Sequence, residues 1–326
     1  MTVTDQEQMA VTPGARPPGA SQGIVGIDIG GTKIAGLLVD ESGTIVTRVS
    51  VAAPASEGGD AMADAAATLV RDLVARASAR LVAVGVGAAG VVDHATGTIR
   101  AASATFVGWA GFPLADALSS RLSVPVSVEN DVNAFLLGEV AADRRADDVL
   151  GVMLGTGVGG AVIIDGRLRH GPHGAAGEIG HTPGYSDLVC TCGQVGHLET
   201  LASGTSIARR YSERVGDAVE DARTVAERAR SGDPIAVEVF ASAGRAVALA
   251  CASAATLLDL PRAIVGGGVS EAWDLLAPAI EQTLRTDSPV SGLPLVIAPA
   301  RLGADAVALG AIEAARRTLV TAGERS

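Results

Sequence analysis

Lysine is nearly missing from this chain of 326 residues: Lys33 is the one lysine among 25 basic side chains. Cysteine is almost as scarce, and three in this length cannot build a disulfide framework. Neither of the longest apolar runs is expected to cross a bilayer. These runs, 81–92 and 149–164, are short or broken by glycine and have the composition of strands buried on both faces. Positive charge is short as well. A net charge of −11 with no basic patch argues against a nucleic-acid surface. The N-terminus carries Asp5 and Glu7 and no basic segment before an apolar core, so no secretory signal is expected. The expectation is a cytoplasmic globular protein without membrane or nucleic-acid partners.

What the chain does have is length, glycine and regular alternation. Its length calls for two domains or two lobes of one fold. Residues 1–23 are Pro-, Gly- and polar-rich and are expected to be a disordered tail. Beyond them helical and strand patterns alternate, which predicts α/β layering. Strands are expected at 44–51, 81–87, 124–128, 263–265 and 295–298. Helices are expected at 60–79, 114–122, 134–140, 206–211, 224–230, 235–258, 275–284 and 304–319. Residues 166–204 show no clear helix. Cys251, alone in an Ala-rich helix, is expected to be a small buried residue.

Lys33 sits in the stretch from Val25 to Asp40: an apolar strand, a glycine turn, a second apolar strand and a closing aspartate. The stretch from Leu150 to Asp165 repeats it, with Gly26, Gly30 and Asp40 falling on Gly151, Gly155 and Asp165. Two such units, one per half, mark an internal duplication. The order Gly31-Thr32-Lys33 fails the Walker A pattern. Gly155-x-Gly157-x-x-Gly160 matches the dinucleotide fingerprint but runs into a strand where a helix is required. Two glycine hairpins remain whose backbone N–H groups can crowd a polyphosphate. Gly30, Gly31, Gly155 and Gly157 supply the backbone, Thr32 and Thr156 hydroxyls, and Lys33 a compact charge. Asp28, at its strand end, either holds Mg²⁺ through water or caps the turn.

Glu129-Asn-Asp-Val-Asn133 lies between a strand and a helix, where open α/β sheets place ligands. Asp131 is either a general base, with Asn130 as hydrogen-bonder, or a helix N-cap; spacing does not separate the two. Farther on, Glu178, His181, Cys190, Cys192, His197 and Glu199 crowd into one short segment. His181, Cys190, Cys192 and His197 offer the four S/N ligands of a structural zinc, against an alternative of buried thiols and surface histidines.

As a set, Asp28-Ile-Gly-Gly-Thr-Lys33, Glu129-Asn-Asp-Val-Asn133, Leu154-Gly-Thr-Gly-Val-Gly-Gly160, Gly177-Glu-Ile-Gly-His181, Cys190-Thr-Cys-Gly-Gln-Val-Gly-His-Leu-Glu199 and Val265-Gly-Gly-Gly268 resemble the ROK family, within the actin-like ATPase superfamily (ribonuclease H-like fold). The resemblance covers residues 24 to about 310. It implies two α/β lobes with ATP and sugar in the cleft between them: 24–129 as the first lobe, 130–303 as the second with the zinc loop, and a closing helix, 304–320, returning to the first. It implies ATP, Mg²⁺ and structural Zn²⁺. Asp131 becomes the base for a sugar hydroxyl; Gly90, Asn130, Glu178, His181 and Glu199 line the sugar, and Gly266, Gly267 and Gly268 the adenosine. One position departs: the family's third zinc cysteine is His197 here, which changes the ligand set to His₂Cys₂. The implied activity is phosphorylation of glucose to glucose 6-phosphate by a homodimer or homotetramer. N-acetylmannosamine, N-acetylglucosamine, fructose or mannose kinases are the near alternatives. A sugar-responsive transcriptional regulator is disfavoured, because it needs a helix-turn-helix and residues 1–23 leave no room for one.

Overall fold

In the computed structural model, residues 21–103, 105–143 and 148–323 are described. Residues 1–20 of the expected tail lie outside them, and Gln22 and Gly23 already belong to the first strand.

Two sheets of five strands have the same plan. The first joins β1 (Gln22–Ile29), β2 (Lys33–Asp40), β3 (Ile45–Ala52), β4 (Arg80–Ala88) and, past a small hairpin of β5 (Val91–Asp93) and β6 (Thr98–Ala101), β7 (Val126–Asn130), in the order β3-β2-β1-β4-β7. The second joins β8 (Val149–Leu154), β9 (Val158–Ile164), β10 (Arg167–Leu168), β11 (Arg262–Gly266) and β12 (Val296–Pro299), in the order β10-β9-β8-β11-β12. In each, an antiparallel meander is extended by two parallel strands beside its first member. The duplication predicted from two glycine stretches thus extends to whole sheets.

Each sheet carries its own helices. Helices α1 (Gly59–Ala77) and α2 (Leu114–Leu122) bury Met62, Ala66, Leu69, Leu73, Leu114 and Leu118 against the first. Between the sheets lie α3 (Asp131–Asp143), whose buried side chains include Val132, Phe135 and Leu136, and a C-terminal helix described below. The second sheet is covered by α4 (Glu199–Ala202), α5 (Gly204–Val215), α6 (Ala222–Arg230), α7 (Pro234–Leu258) and α8 (Trp273–Thr286). Helix α7 starts where its sequence dictates: Pro234 takes the first turn, and Asp233 accepts hydrogen bonds from the N–H groups of Ile235 and Ala236. Among the described residues it alone is long and apolar enough to span a bilayer by length and composition, and 61% of that window is buried inside the fold. Burial at Ala243, Val247 and Cys251 explains its apolarity, and Cys251 is the small buried residue expected.

The last helix, α9 (Ala306–Gly323), packs on β1 and β4 and crosses α3. The approach is possible only because glycine meets backbone. A Cβ on Gly26 would lie 2.0 Å from the Ala308 carbonyl oxygen, and one on Gly85 would lie 1.9 Å from that of Ala311. Gly310 faces α3 in the same way, 1.6 Å from the Ala134 oxygen.

Candidate active site

The two glycine turns close alike. The Gly30 N–H donates to the Lys33 carbonyl at 3.0 Å, and the Gly155 N–H to the Gly157 carbonyl at 2.9 Å. Turn residues Thr32 and Thr156 are exposed, and so is Lys33. The second turn enters β9 and no helix, so the dinucleotide fingerprint is a strand turn here. Gly267, with φ +86°, brings the third glycine run against the same hairpin: a Cβ there would lie 2.5 Å from the Leu154 oxygen. Gly268 faces open space.

At the end of β7, the ambiguity at Asp131 resolves in favour of its neighbour. Asn130 is the cap of α3: its Oδ1 accepts from the N–H groups of Val132 (2.9 Å) and Asn133 (3.1 Å). Its Nδ2 donates to the Gly90 carbonyl at 3.0 Å and to Asp131 Oδ1 at 2.9 Å. Gly90 is held at φ +109°, a backbone state that glycine adopts at low cost. The stretch lies at a strand-to-helix junction as expected, and the junction is direct: β7 ends at Asn130 and α3 begins at Asp131. Asp131 therefore heads the helix, where the dipole favours a carboxylate; Oδ1 also accepts from the Val132 N–H at 3.0 Å.

Burial pushes the Asp131 carboxyl up to about 7, with the Asp28 carboxylate adding to the effect and Glu178 adding less. Asp28 is itself pushed up to about 6 by burial, against the pull of Lys33. Register explains their proximity. Asp28 pairs with Gly87 of β4, and Gly87, having no side chain, leaves its row open to α3: a Cβ there would lie 3.6 Å from the Asp131 Cα. Glu178 is raised by burial, held back by His181 and raised further by Glu199. Lys33, Asp28, Asp131, Glu178 and Glu199, predicted separately, thus form one electrostatically connected series.

Glu199 is more committed than its sequence position indicates. Its Oε2 accepts from the Val158 N–H at 3.0 Å, and its Oε1 accepts from the hydroxyl of Thr191 at 2.7 Å. Gly157 permits this, for a Cβ there would lie 2.6 Å from Oε2. Glu199 so ties the second glycine hairpin to the Cys190–Cys192 loop. Thr191, between the cysteines, carried no recognisable signal in the sequence.

The four predicted metal ligands converge, with their donor atoms all within 4.8 Å of one another. His181 Nδ1 lies 3.3 Å from His197 Nδ1 and 3.9 Å from Cys190 Sγ, and Cys192 Sγ lies 3.3 Å from His197 Nδ1. Tetrahedral zinc with bonds of about 2.0–2.3 Å separates its ligand atoms by about 3.3–3.8 Å, so these three contacts lie near that spacing and the set, with no pair wider than 4.8 Å, is able to close on one ion. Gln194 Oε1 sits 3.2 Å from His197 Nε2, leaving Nδ1 free to face the centre. His181 also turns Nδ1 inward, toward His197 and Cys190, which leaves Nε2 on the far side of the ring.

Duplicated sheets, each with a glycine hairpin, and an acid heading the helix that follows the first sheet define the actin-like ATPase architecture. Within it, the model of the ROK family matches residues 24–318, and the chain belongs to that family. It is 36% identical over 280 residues to a glucokinase of Streptomyces coelicolor, spanning 80% of this chain and 86% of that one. It is 35% identical over 262 residues to an N-acetylmannosamine kinase of Shigella flexneri, spanning 78% and 86%. A solved ROK family glucokinase from Streptomyces griseus, in complex with glucose and AMPPNP, aligns with a TM-score of 0.77 at 36% identity over 90% of this chain and 99% of that one.

Proposed function

We propose that this chain is an ATP-dependent hexose kinase that phosphorylates glucose. Asp131 is its general base. The observation that carries the reading is Asp131 itself: one oxygen is fixed by Asn130 and Val132, and its proton affinity is raised to neutrality. Such a group accepts a hydroxyl proton at physiological pH and orients the sugar oxygen in line with the γ-phosphorus. The oxygen–phosphorus bond forms as the bond to ADP breaks, and the proton stays on Asp131.

Asn130, Glu178, His181 and Glu199, with the Gly90 turn, ring the pyranose. The turns at Gly30–Lys33 and Gly155–Gly157 cradle phosphates, and Gly266–Gly268 the adenosine. Mg²⁺ near Asp28 would neutralise charge on the phosphates. Zinc on His181, Cys190, Cys192 and His197 would order the loop that presents Glu199. We extend the reading, on family resemblance, to a cytoplasmic homodimer or homotetramer. N-acetylmannosamine is the second candidate substrate, supported by the Shigella flexneri relative.

An ADP-release assay over glucose, mannose, fructose, N-acetylglucosamine and N-acetylmannosamine tests the reading. Highest turnover with glucose is expected; no sugar-dependent ADP release with any of them would overturn it.

A further inference from the structure

Three pieces of the proposed site reach the cleft from separate parts of the chain: the Gly90 turn, the end of β7, and the loop from His170 to His181. One set of contacts joins all three from behind. Glu129 precedes Asn130 on β7, so the two side chains leave opposite faces of the strand. Its carboxylate meets His170, whose Nε2 lies 3.1 Å from Oε1 and 3.0 Å from Oε2. The His170 ring stacks on His94, with centroids 4.0 Å apart and planes within 8°. His94 belongs to the turn between β5 and β6, the hairpin that leaves Gly90. The His170 carbonyl accepts from the Ala176 N–H at 3.1 Å, closing the loop that leads into Gly177 and Glu178.

Core packing does not account for this arrangement. Both imidazoles and the Glu129 carboxylate line a cleft of about 500 Å³, shared with Ser127, Asp116, Arg167 and Arg317. The His170 and Glu129 side chains keep 21% and 13% of their surface accessible. The pair is thus mostly enclosed but keeps an opening to that cleft. Its partners are 41 residues apart and lie on the two sheets' separate segments, directly behind the residues proposed to hold the sugar.

We infer that His170 is a positioning residue for hexose phosphorylation: by gripping Glu129 and stacking on His94, it sets the Asn130–Asp131 end of β7 against the Glu178–His181 wall. The inference rests on the kinase reading. A ring in this place acts through distance alone and touches neither sugar nor nucleotide.

The test is steady-state kinetics on the full chain and its His170→Ala, His170→Gln and His94→Ala variants, with thermal unfolding recorded alongside. Glutamine matches imidazole Nε2 in reach and keeps the donor to Glu129, but it cannot stack. His170→Ala is expected to raise KM for the hexose about tenfold, with KM for ATP unchanged to about twofold. His170→Gln recovers at least half of that loss on a logarithmic scale, and His94→Ala costs about threefold in the same constant. A hexose KM unchanged in His170→Ala, whatever its melting temperature, overturns the inference, as does a glutamine variant no better than alanine. Should His170→Ala not fold, an unchanged hexose KM in His94→Ala overturns it equally. A wild-type chain that phosphorylates no hexose sinks the kinase reading itself, a failure visible before any variant is compared.

Discussion

Asn130 reaches Asp131 Oδ1 at 2.9 Å with the same side chain that caps α3, so the helix start and the acid's orientation are one arrangement. Sequence spacing leaves cap and base open at Asp131; geometry gives the cap to Asn130, which leaves Asp131 available for the proposed base role. Asp131→Ala is therefore expected to lower kcat by about 10²–10⁴-fold, the usual contribution of a positioned base. Hexose affinity, measured by calorimetry, should change little. Near-normal turnover in that variant would refute the assignment.

A pH dependence follows from the Asp131 carboxyl standing near 7. The base works deprotonated, so kcat/KM for the hexose should fall as pH drops below about 7. The sign for stability is opposite. The native value lies above the ordinary 3.8, so the protonated form stabilises the fold. That contribution is fully present below 3.8 and is lost as pH rises through about 7. Asp131→Asn should accordingly raise the melting temperature at pH 8 by about 3 °C or more and leave it unchanged at pH 3. A variant no more stable than wild type at pH 8 would show that burial does not load this carboxyl.

Lys33 stands exposed at the first turn with its charge felt by Asp28. Lys33→Met should raise KM for ATP about tenfold or more, equivalent to about 1.4 kcal/mol, while the hexose KM holds within about twofold. Equal damage to both constants would argue against a phosphate contact.

Protein purified without chelator should contain zinc stoichiometrically, and His197→Ala should lose it. Cobalt substitution offers a readout independent of turnover, since its visible absorption reports tetrahedral thiolate and imidazole ligation. Zinc-free wild-type protein would remove the centre from the account.

Gly85→Ala would push a methyl into the Ala311 carbonyl, a backbone group that no rotamer change can clear. A loss of about 3 kcal/mol or more in urea unfolding is expected, at the upper end for overpacking. A loss below about 1 kcal/mol would show that α9 is free to lift from the sheet.

Much of this was legible in the sequence, and the reasons differ by element. Helix α2 spans Leu114–Leu122 as predicted, because its apolar spacing is clean, and α7 begins at an Asp-Pro start signal. The paired hairpins announced themselves by repetition. The β5–β6 hairpin left no such trace, since its strands span only Val91–Asp93 and Thr98–Ala101. Glu129 was visible within its motif, but nothing local predicts His170 as its partner: 41 residues separate them, they belong to segments of different sheets, and only the tertiary packing brings their side chains together. Glu199 was expected on the sugar; that its oxygens also hold Val158 and Thr191 depends on a missing Cβ at Gly157.

The exposed Lys33 has a practical consequence. It carries the chain's only ε-amine, so an acylating reagent finds a single side-chain target, and that target stands at the mouth of the proposed nucleotide cleft. A fluorophore attached there needs no engineered handle. Mass spectrometry of the labelled tryptic digest should find one modified side chain and, where ATP shields it, none.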